Sequence, residues 1–195
     1  MTAAVPVLPL RTERLVLRDY VDEDFEAVHA YGTDPEVVRF MAWGPNDEAA
    51  TRDFLTRTIA ATHAIPRTSW ELAVTLAETG ELVGGCGLMP RRLPYREWEL
   101  GYVLRRDLWG NGLVPEAARA VAEFGVRQLG AHRLFALIDP ANRGSIRVAE
   151  GLGMRLEGTL RYDARIHGEW RDTHVYALLE TEWPRPEPRA GEHDG

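Results

Sequence analysis

The sequence predicts one mixed α/β domain, with a central sheet and helices laid against it. Three observations lead there. Six to seven strand-like runs, alternating or briefly apolar, are spread along the 195 residues. Late in the chain, two segments of helical spacing alternate with those runs. The length also suits one domain and is enough to bury a core.

Element by element, "RLVLRDY" (14–20) alternates apolar and polar residues as a first strand. "DEDFEAVHAYG" (22–32) sets Phe25, Val28 and His29 at helical spacing and ends in glycine. "NDEAATRDFLTRTIAATHAI" (46–65) reads as a second helix, capped by Asn46 or Asp47 and acidic in its first turn. "SWELAVTLAETGELVGGCGLMP" (69–90) is a hairpin folded at "ETGE". "REWELGYVLRRD" (96–107) is a strand with Trp98, Leu100, Tyr102 and Leu104 on one face and Glu97, Glu99 and Val103 on the other. A helix then runs from Pro115 to about Leu129 and stops at Gly130, burying Ala117, Val121 and Phe124. "HRLFALID" is a short strand and "NRGSIRVAEGLG" a short helix. "MRLEGTLRY" and "WRDTHVYALLE" are the last two strands. We expect an N-terminal extension over 1–9, the domain over 10–183, and a disordered proline-rich tail over 184–195.

The composition, 45% hydrophobic and 27% charged, is that of an ordinary soluble globular protein. A net charge of -7 gives no basic footprint for nucleic acid or an anionic membrane. All 23 basic side chains are arginine, which a GC-rich coding bias explains without function. The lone Cys86 excludes an internal disulfide and suits a reducing compartment; it lies in an apolar strand and reads as core packing. With no signal-like start and no apolar run near membrane length, a cytoplasmic location is expected. The six histidines lack metal-ligand spacing, so no metal is expected.

"DLWGNGLVPEAARAV" (107–121) is the informative stretch. Two glycines precede a helix whose entry has no Ser, Thr, Asn or Asp cap. Glycine lets the backbone take positive φ and lets an anion approach closely. Pro115 suits a first helical position. The amides of Asn111, Gly112, Leu113, Val114, Glu116 and Ala117 then stand free as donors for an anion, phosphate above all. The motif is neither a P-loop nor a dinucleotide fingerprint, and by itself it is equally a tight loop.

Context changes that. The segment "WELGYVLRRDLWGNGLVPEAARAVAEFGVRQLGAHRLFALIDPANRGSIRVAEGLGMRLEG" closely resembles the acetyl-CoA-binding half of GNAT-superfamily N-acetyltransferases, the RimJ/RimL-type branch fitting best. A W-G-x-G loop, an "EA" helix, an N-x-x-S turn and a "GM-x-x-EG" strand follow in that order. "LRTERLVLRDYVDEDFEAV", "DPEVVRFM" and "WRDTHVYALLE" extend the likeness to about residues 10–183. The resemblance implies a mostly antiparallel, twisted sheet of six to seven strands, splayed at the cofactor site and flanked by about four helices.

It also implies roles for particular residues. The loop of Trp109, Gly110, Asn111, Gly112, Leu113 and Val114 would take the pyrophosphate of coenzyme A. The end of the preceding strand, Tyr102, Val103 and Leu104, would pair with the pantetheine arm. Val114 stands where the family has Ala or Gly, and Pro115 where Thr or Ser is common; these add bulk and remove a donor. Arg105 and Arg106 either meet the ribose phosphate or are solvated. Asn142 would contact the cofactor and Ser145 lie near the leaving thiolate, unless either simply caps the helix. Glu99 is the candidate base, acting through water, with Glu97 its substitute. Ser145 is the candidate acid and Tyr162 the alternative. Trp43 and Trp170 either touch the acceptor or anchor loops.

The implied activity is transfer of acetyl from acetyl-CoA to a primary amine, a peptide N-terminus or a small molecule, by direct attack. The alternatives are a transferase for another acyl group such as succinyl, and a protein that holds coenzyme A without turnover. Within the branch, both monomers and homodimers are expected.

Overall fold

Alternation along each strand sorts its side chains to two faces, and the two faces here meet different neighbours. In the computed structural model, which describes residues 6–184, the strands are β1 (Leu10–Arg11), β2 (Leu15–Arg18), β3 (Trp70–Leu76), β4 (Leu82–Arg92), β5 (Glu97–Leu104), β6 (Arg133–Ile138), β7 (Arg155–Ile166) and β8 (Glu169–Leu179). They form one sheet in the order β1-β2-β3-β4-β5-β6-β8-β7. Every neighbouring pair is antiparallel except β5 with β6. The sheet therefore has eight strands rather than six to seven. The extra one is β1, whose two residues are too few to show a period of two in sequence. Residues 1–5 of the expected extension, and all but Pro184 of the expected tail, lie outside the described residues.

The helices are α1 (Phe25–Gly32), α2 (Glu48–Thr62), α3 (Leu113–Arg127) and α4 (Arg143–Gly151). One sheet face carries Trp70, Leu72, Val74, Leu100 and Leu134 against Ala117, Val121 and Phe124 of α3 and Ile146 of α4. Trp70 meets Phe124 edge-on, with ring centroids 5.1 Å apart. Ala118 and Ala122, both fully buried, let α3 approach the sheet closely. Burying each large apolar side chain there contributes about 1.5–3 kcal/mol. On the opposite face, Tyr20, Ala73, Val28, Tyr31 and Leu55 form a smaller core under α1 and α2. That cover stops short of the middle of the sheet. Cys86 is buried, as its apolar strand implies. No helix among the described residues is long and apolar enough to cross a membrane.

The parallel pair is the fold's special feature. Antiparallel strands can turn back through a hairpin, but β5 and β6 need a crossover, and α3 provides it. Their ladder has three rungs only: Glu97 with Arg133, Trp98 with Leu134, and Glu99 with Phe135. Beyond Glu99 the strands part, β5 running on to Leu104 and β6 to Ile138. The edge of β5 facing this gap has no strand partner from Leu100 to Leu104.

Helix α3 begins at Leu113, two residues before the start expected at Pro115. Gly112, at φ 75°, is its N-cap, and the Gly112 carbonyl accepts from the Glu116 amide at 3.3 Å. Pro115 is thus the third helical residue, where its missing N–H still costs no intrahelical bond. Glu116 and Ala117 lie inside the helix, so their amides are not the free donors expected of them.

Candidate active site

The parted strands leave a mouth, and the N-termini of α3 and α4 both come to it. In the α3 loop, Gly110 and Gly112 take φ of 81° and 75°, the region only glycine enters freely. No acceptor among the described residues takes the amides of Gly110, Asn111, Gly112, Leu113 or Val114. A Cβ placed on Gly110 would meet nothing within 4 Å, so the loop's approach is open. The Val114 side chain packs against the main core, which turns the bulk expected beside the phosphates inward. Free amides, positive helix dipole and open approach together fit a diphosphate, and the unpaired β5 edge fits an amide-bearing arm.

The loop is held from behind by residues distant in sequence. The Arg14 guanidinium donates to the Asn111 carbonyl at 2.9 Å and to Glu116 Oε2 at 2.7 Å. Glu116 Oε1 in turn accepts from the Thr12 hydroxyl at 2.6 Å and the Arg14 amide at 2.9 Å. Burial alone would push the Glu116 carboxyl up; the Thr12 and Arg14 donors outweigh it and hold the group below its usual range. With the Asn111 carbonyl tied to Arg14, the peptide that follows is fixed in orientation. Trp109 donates its indole N–H to the Leu104 carbonyl at 2.8 Å, binding the loop to the end of β5. Arg105 is engaged by Asp107 at 2.7 Å and by Glu81, while Arg106 has no ion-pair partner among the described residues.

Behind the mouth lies a cavity of about 650 Å³ on the α1/α2 face of the sheet. Glu99 lines it at the point where β5 and β6 part. Burial pushes the Glu99 carboxyl above its usual range, with Arg91 opposing. Glu97, two residues earlier on the same face, has the opposite environment. It is 6% exposed, bonded to Arg92 and, at 3.0 Å, to Arg133. The Arg92 bond first, and Arg133 with it, hold its carboxyl low despite burial.

Asn142 and Ser145 both line the cavity. Asn142 caps α4, its Oδ1 accepting from the Ser145 amide at 3.1 Å. The Tyr102 hydroxyl donates to the Ser145 carbonyl at 3.2 Å, spanning from β5 to α4. Desolvation pushes the Tyr102 phenol up to about 12. Trp43 also lines the cavity, 40% exposed. Two expected residues are not brought together with these. Tyr162 is 71% exposed, on a bulge of β7 where Asp172 accepts from its amide, and Trp170 of β8, opposite Arg165, is 58% exposed; neither lines the cavity.

Sequence reading missed Arg14, Glu71 and Asp139. Asp139 lines the cavity, nearly buried, paired with Arg171 at 3.2 Å. Glu71 lines it from β3, its carboxyl raised by burial, and its alternation with Trp70 and Leu72 was the one signal that placed it on this face. No group of three potential metal ligands occurs among the described residues.

A family model described as "Acetyltransferase (GNAT) domain" matches residues 14–155. An uncharacterized N-acetyltransferase of Bacillus licheniformis is 30% identical over 175 residues, 89% of this chain and 97% of that protein. The crystal structure of a GNAT-family acetyltransferase from Bacillus anthracis superposes with a TM-score of 0.80 at 30% identity, over 90% of this chain and all of the other. A spermidine N-acetyltransferase from Vibrio cholerae, solved with CoA and spermine, has the same fold, with a TM-score of 0.76 at 17% identity over 88% of this chain and 98% of that one.

Proposed function

The chain belongs to the GNAT acetyltransferase family, and from that premise we propose how its residues carry acetyl from acetyl-CoA to a primary amine. The observation that carries the reading is the set of unpaired amides from Gly110 to Val114 at the mouth between β5 and β6. Those amides bind the pyrophosphate, each phosphate charge gaining about 0.3–1 kcal/mol from the α3 dipole beyond its hydrogen bonds. The β5 edge without a strand partner at Tyr102 and Val103 pairs with the pantetheine arm and aims the thioester at Glu99, while Leu104, its carbonyl held by the Trp109 indole, anchors the loop beside it. Acetyl-CoA supplies the activated acyl group.

Transfer needs a neutral nucleophile and a protonated leaving thiolate. Glu99 removes the proton from the attacking amine, directly or through one water. Its raised carboxyl is a better base than an exposed glutamate, while Glu97 is committed to two arginines and is not used. As the amine nitrogen bonds the acetyl carbon and the C–S bond breaks, Ser145, at the N-terminus of α4, hands its proton to the leaving sulfur and takes one back from solvent, while Glu99 loses the amine proton to solvent; Asn142 and Tyr102 fix the Ser145 backbone. Tyr162, exposed and outside the cavity, has no part in this scheme. Holding amine and thioester in a near-attack pose supplies the larger share of the acceleration, ~7–11 kcal/mol in favourable systems. Membership of the RimJ/RimL-type branch rests on the W-G-x-G loop and the Asn142-to-Ser145 turn.

The test is thiol release from acetyl-CoA against peptide N-termini, small amines and aminoglycosides, repeated with succinyl-CoA. Release with acetyl-CoA and at least one amine class is expected. Tight coenzyme A binding by calorimetry, with no thiol released by any pair, would instead mark a protein that holds the cofactor without turnover.

A further inference from the structure

Elsewhere this protein pairs its buried carboxylates with arginine: Asp24 with Arg18, Glu97 with Arg92 and Arg133, Asp139 with Arg171. Of the cavity-lining carboxylates with no arginine within ion-pair distance among the described residues, Asp163 is exposed and Asp172 accepts from the Tyr162 amide, which leaves Glu71 and Glu99. Glu99 is accounted for by the chemistry above. Glu71 is not. The Thr58 hydroxyl reaches it only at 3.5 Å, and the nearby Arg57 is bonded to Asp53 at 3.0 Å instead. A half-buried carboxylate without an ion-pair partner is costly to the fold in its charged form, and burial raises the Glu71 carboxyl accordingly; a cation beside it would restore the charge.

The sheet register locates that missing charge. Glu71 on β3 stands opposite Gly87 on β4, which stands opposite Gly101 on β5. Glu99 is two residues before Gly101, on the same face. Two strand spacings and two residues of rise put the Glu71 and Glu99 Cα atoms about 12 Å apart. Between them the floor is glycine, and a Cβ on Gly101 would touch only the Met89 methyl, at 3.1 Å. The walls over it, from Tyr31, Met41, Trp43 and Phe54, are apolar or aromatic and suit a methylene chain. Of the charged side chains lining the cavity, Arg57 alone is cationic.

We infer that the acceptor is a diamine-type cation: one amine nitrogen reacts beside Glu99 while a second, positively charged nitrogen lies against Glu71 across the glycine floor. This rests on the acetyl-transfer reading and makes Glu71 a specificity residue rather than a catalytic one. A monoamine fills the chain path but leaves Glu71 unpartnered, so the preference enters through KM.

The experiment measures thiol release from acetyl-CoA with α,ω-diamines of graded length and with monoamines of matched length, using the full chain and its Glu71→Gln and Glu71→Asp variants. For the wild type, kcat/KM should favour the best diamine by about tenfold or more, beyond the twofold statistical advantage of two nitrogens. Glu71→Gln should collapse that ratio mainly by raising KM for diamines, and Glu71→Asp should restore part of it. The ratio is read within one preparation, so partial loss of folded protein cancels. Equal rates for wild type with diamines and monoamines overturn the inference and leave acetyl transfer standing. A diamine preference that persists in Glu71→Gln removes Glu71 from it. No release with any amine fails the acetyl-transfer reading itself and the inference with it.

Discussion

Helices α3 and α4 both point their N-termini at the same mouth, yet they end differently. At α4, Asn142 accepts from the Ser145 amide, so the first turn is satisfied from within. At α3, Gly112 has no side chain to offer and five consecutive residues carry unpaired amides. The protein has not simply left a helix end unfinished, since Arg14 and Glu116 brace the back of the same loop. A bare N-terminus with a braced carbonyl side suits the anion seat proposed for it. A capped one is a scaffold that presents a side chain. The same local grammar, read at two helix starts, separates binding from positioning.

The comparison can be broken first at α3. Gly112→Asp puts a carboxylate in the proposed phosphate seat. Asp tolerates positive φ, and its Cβ would meet only Arg14, at 3.5 Å, so the fold should survive. We expect KM for acetyl-CoA to rise about a hundredfold, and coenzyme A calorimetry to show a matching loss. A seat that tolerates Asp would mean the amides do not bind phosphate.

Between the two helices stands Glu99, and its removal sharpens the division of labour. Glu99→Gln should lower kcat about a hundredfold, with far less effect on coenzyme A binding. In the proposed scheme the ionised form is the base, and burial raises its pKa, so activity in the wild type should fall as pH drops through a value above the ordinary glutamate range. That acid limb should vanish in Glu99→Gln. A limb retained in the variant would assign it to another group.

Loosening the brace should matter less than filling the seat. Arg14→Ala frees the Asn111 carbonyl and should raise KM for acetyl-CoA about threefold to tenfold with kcat nearly constant. Smallest of all is the α4 cap. Asn142→Ala should cost about 1 kcal/mol, seen as a melting temperature about 2–4 °C lower. A hundredfold loss of coenzyme A affinity there would instead make Asn142 a principal cofactor contact.

The contrast between the helix starts was partly legible in the sequence, because capping is a local rule. "NRGS" carries its own cap, and "WGNGLVP" shows the lack of one. The start of α3 was misplaced by two residues because Pro115 imitates a first helical residue, whereas the positive φ of Gly112 sets the true one. Strand faces on β5 followed from alternation, and Glu99 reached the cavity as its face implied. What alternation does not carry is pairing at long range. Glu97 and Glu99 look alike in sequence, and it is Arg92 together with Arg133, 36 residues away, that tells them apart. Arg14 lies 97 residues from the carbonyl it holds, and no local pattern announces it. Tyr162 and Trp170 are conspicuous as residue types, but both stand exposed and outside the cavity, and the register shift that spans Tyr162 depends on how β7 and β8 mismatch.

The three-rung ladder between β5 and β6 has a consequence beyond catalysis. Five strands lie on one side of it and three on the other, and among the described residues the two groups are joined within the sheet by those rungs and by the His132 and Arg133 amides donating to the Arg96 carbonyl at their end. On the proposed reading a donor molecule lying along the vacant edge would act as a further strand across the seam, and occupancy and unfolding would then be linked by mass action. At a hundred times its dissociation constant such a ligand adds about 2.7 kcal/mol of stability. If that holds, the melting temperature of the chain should rise with added acetyl-CoA.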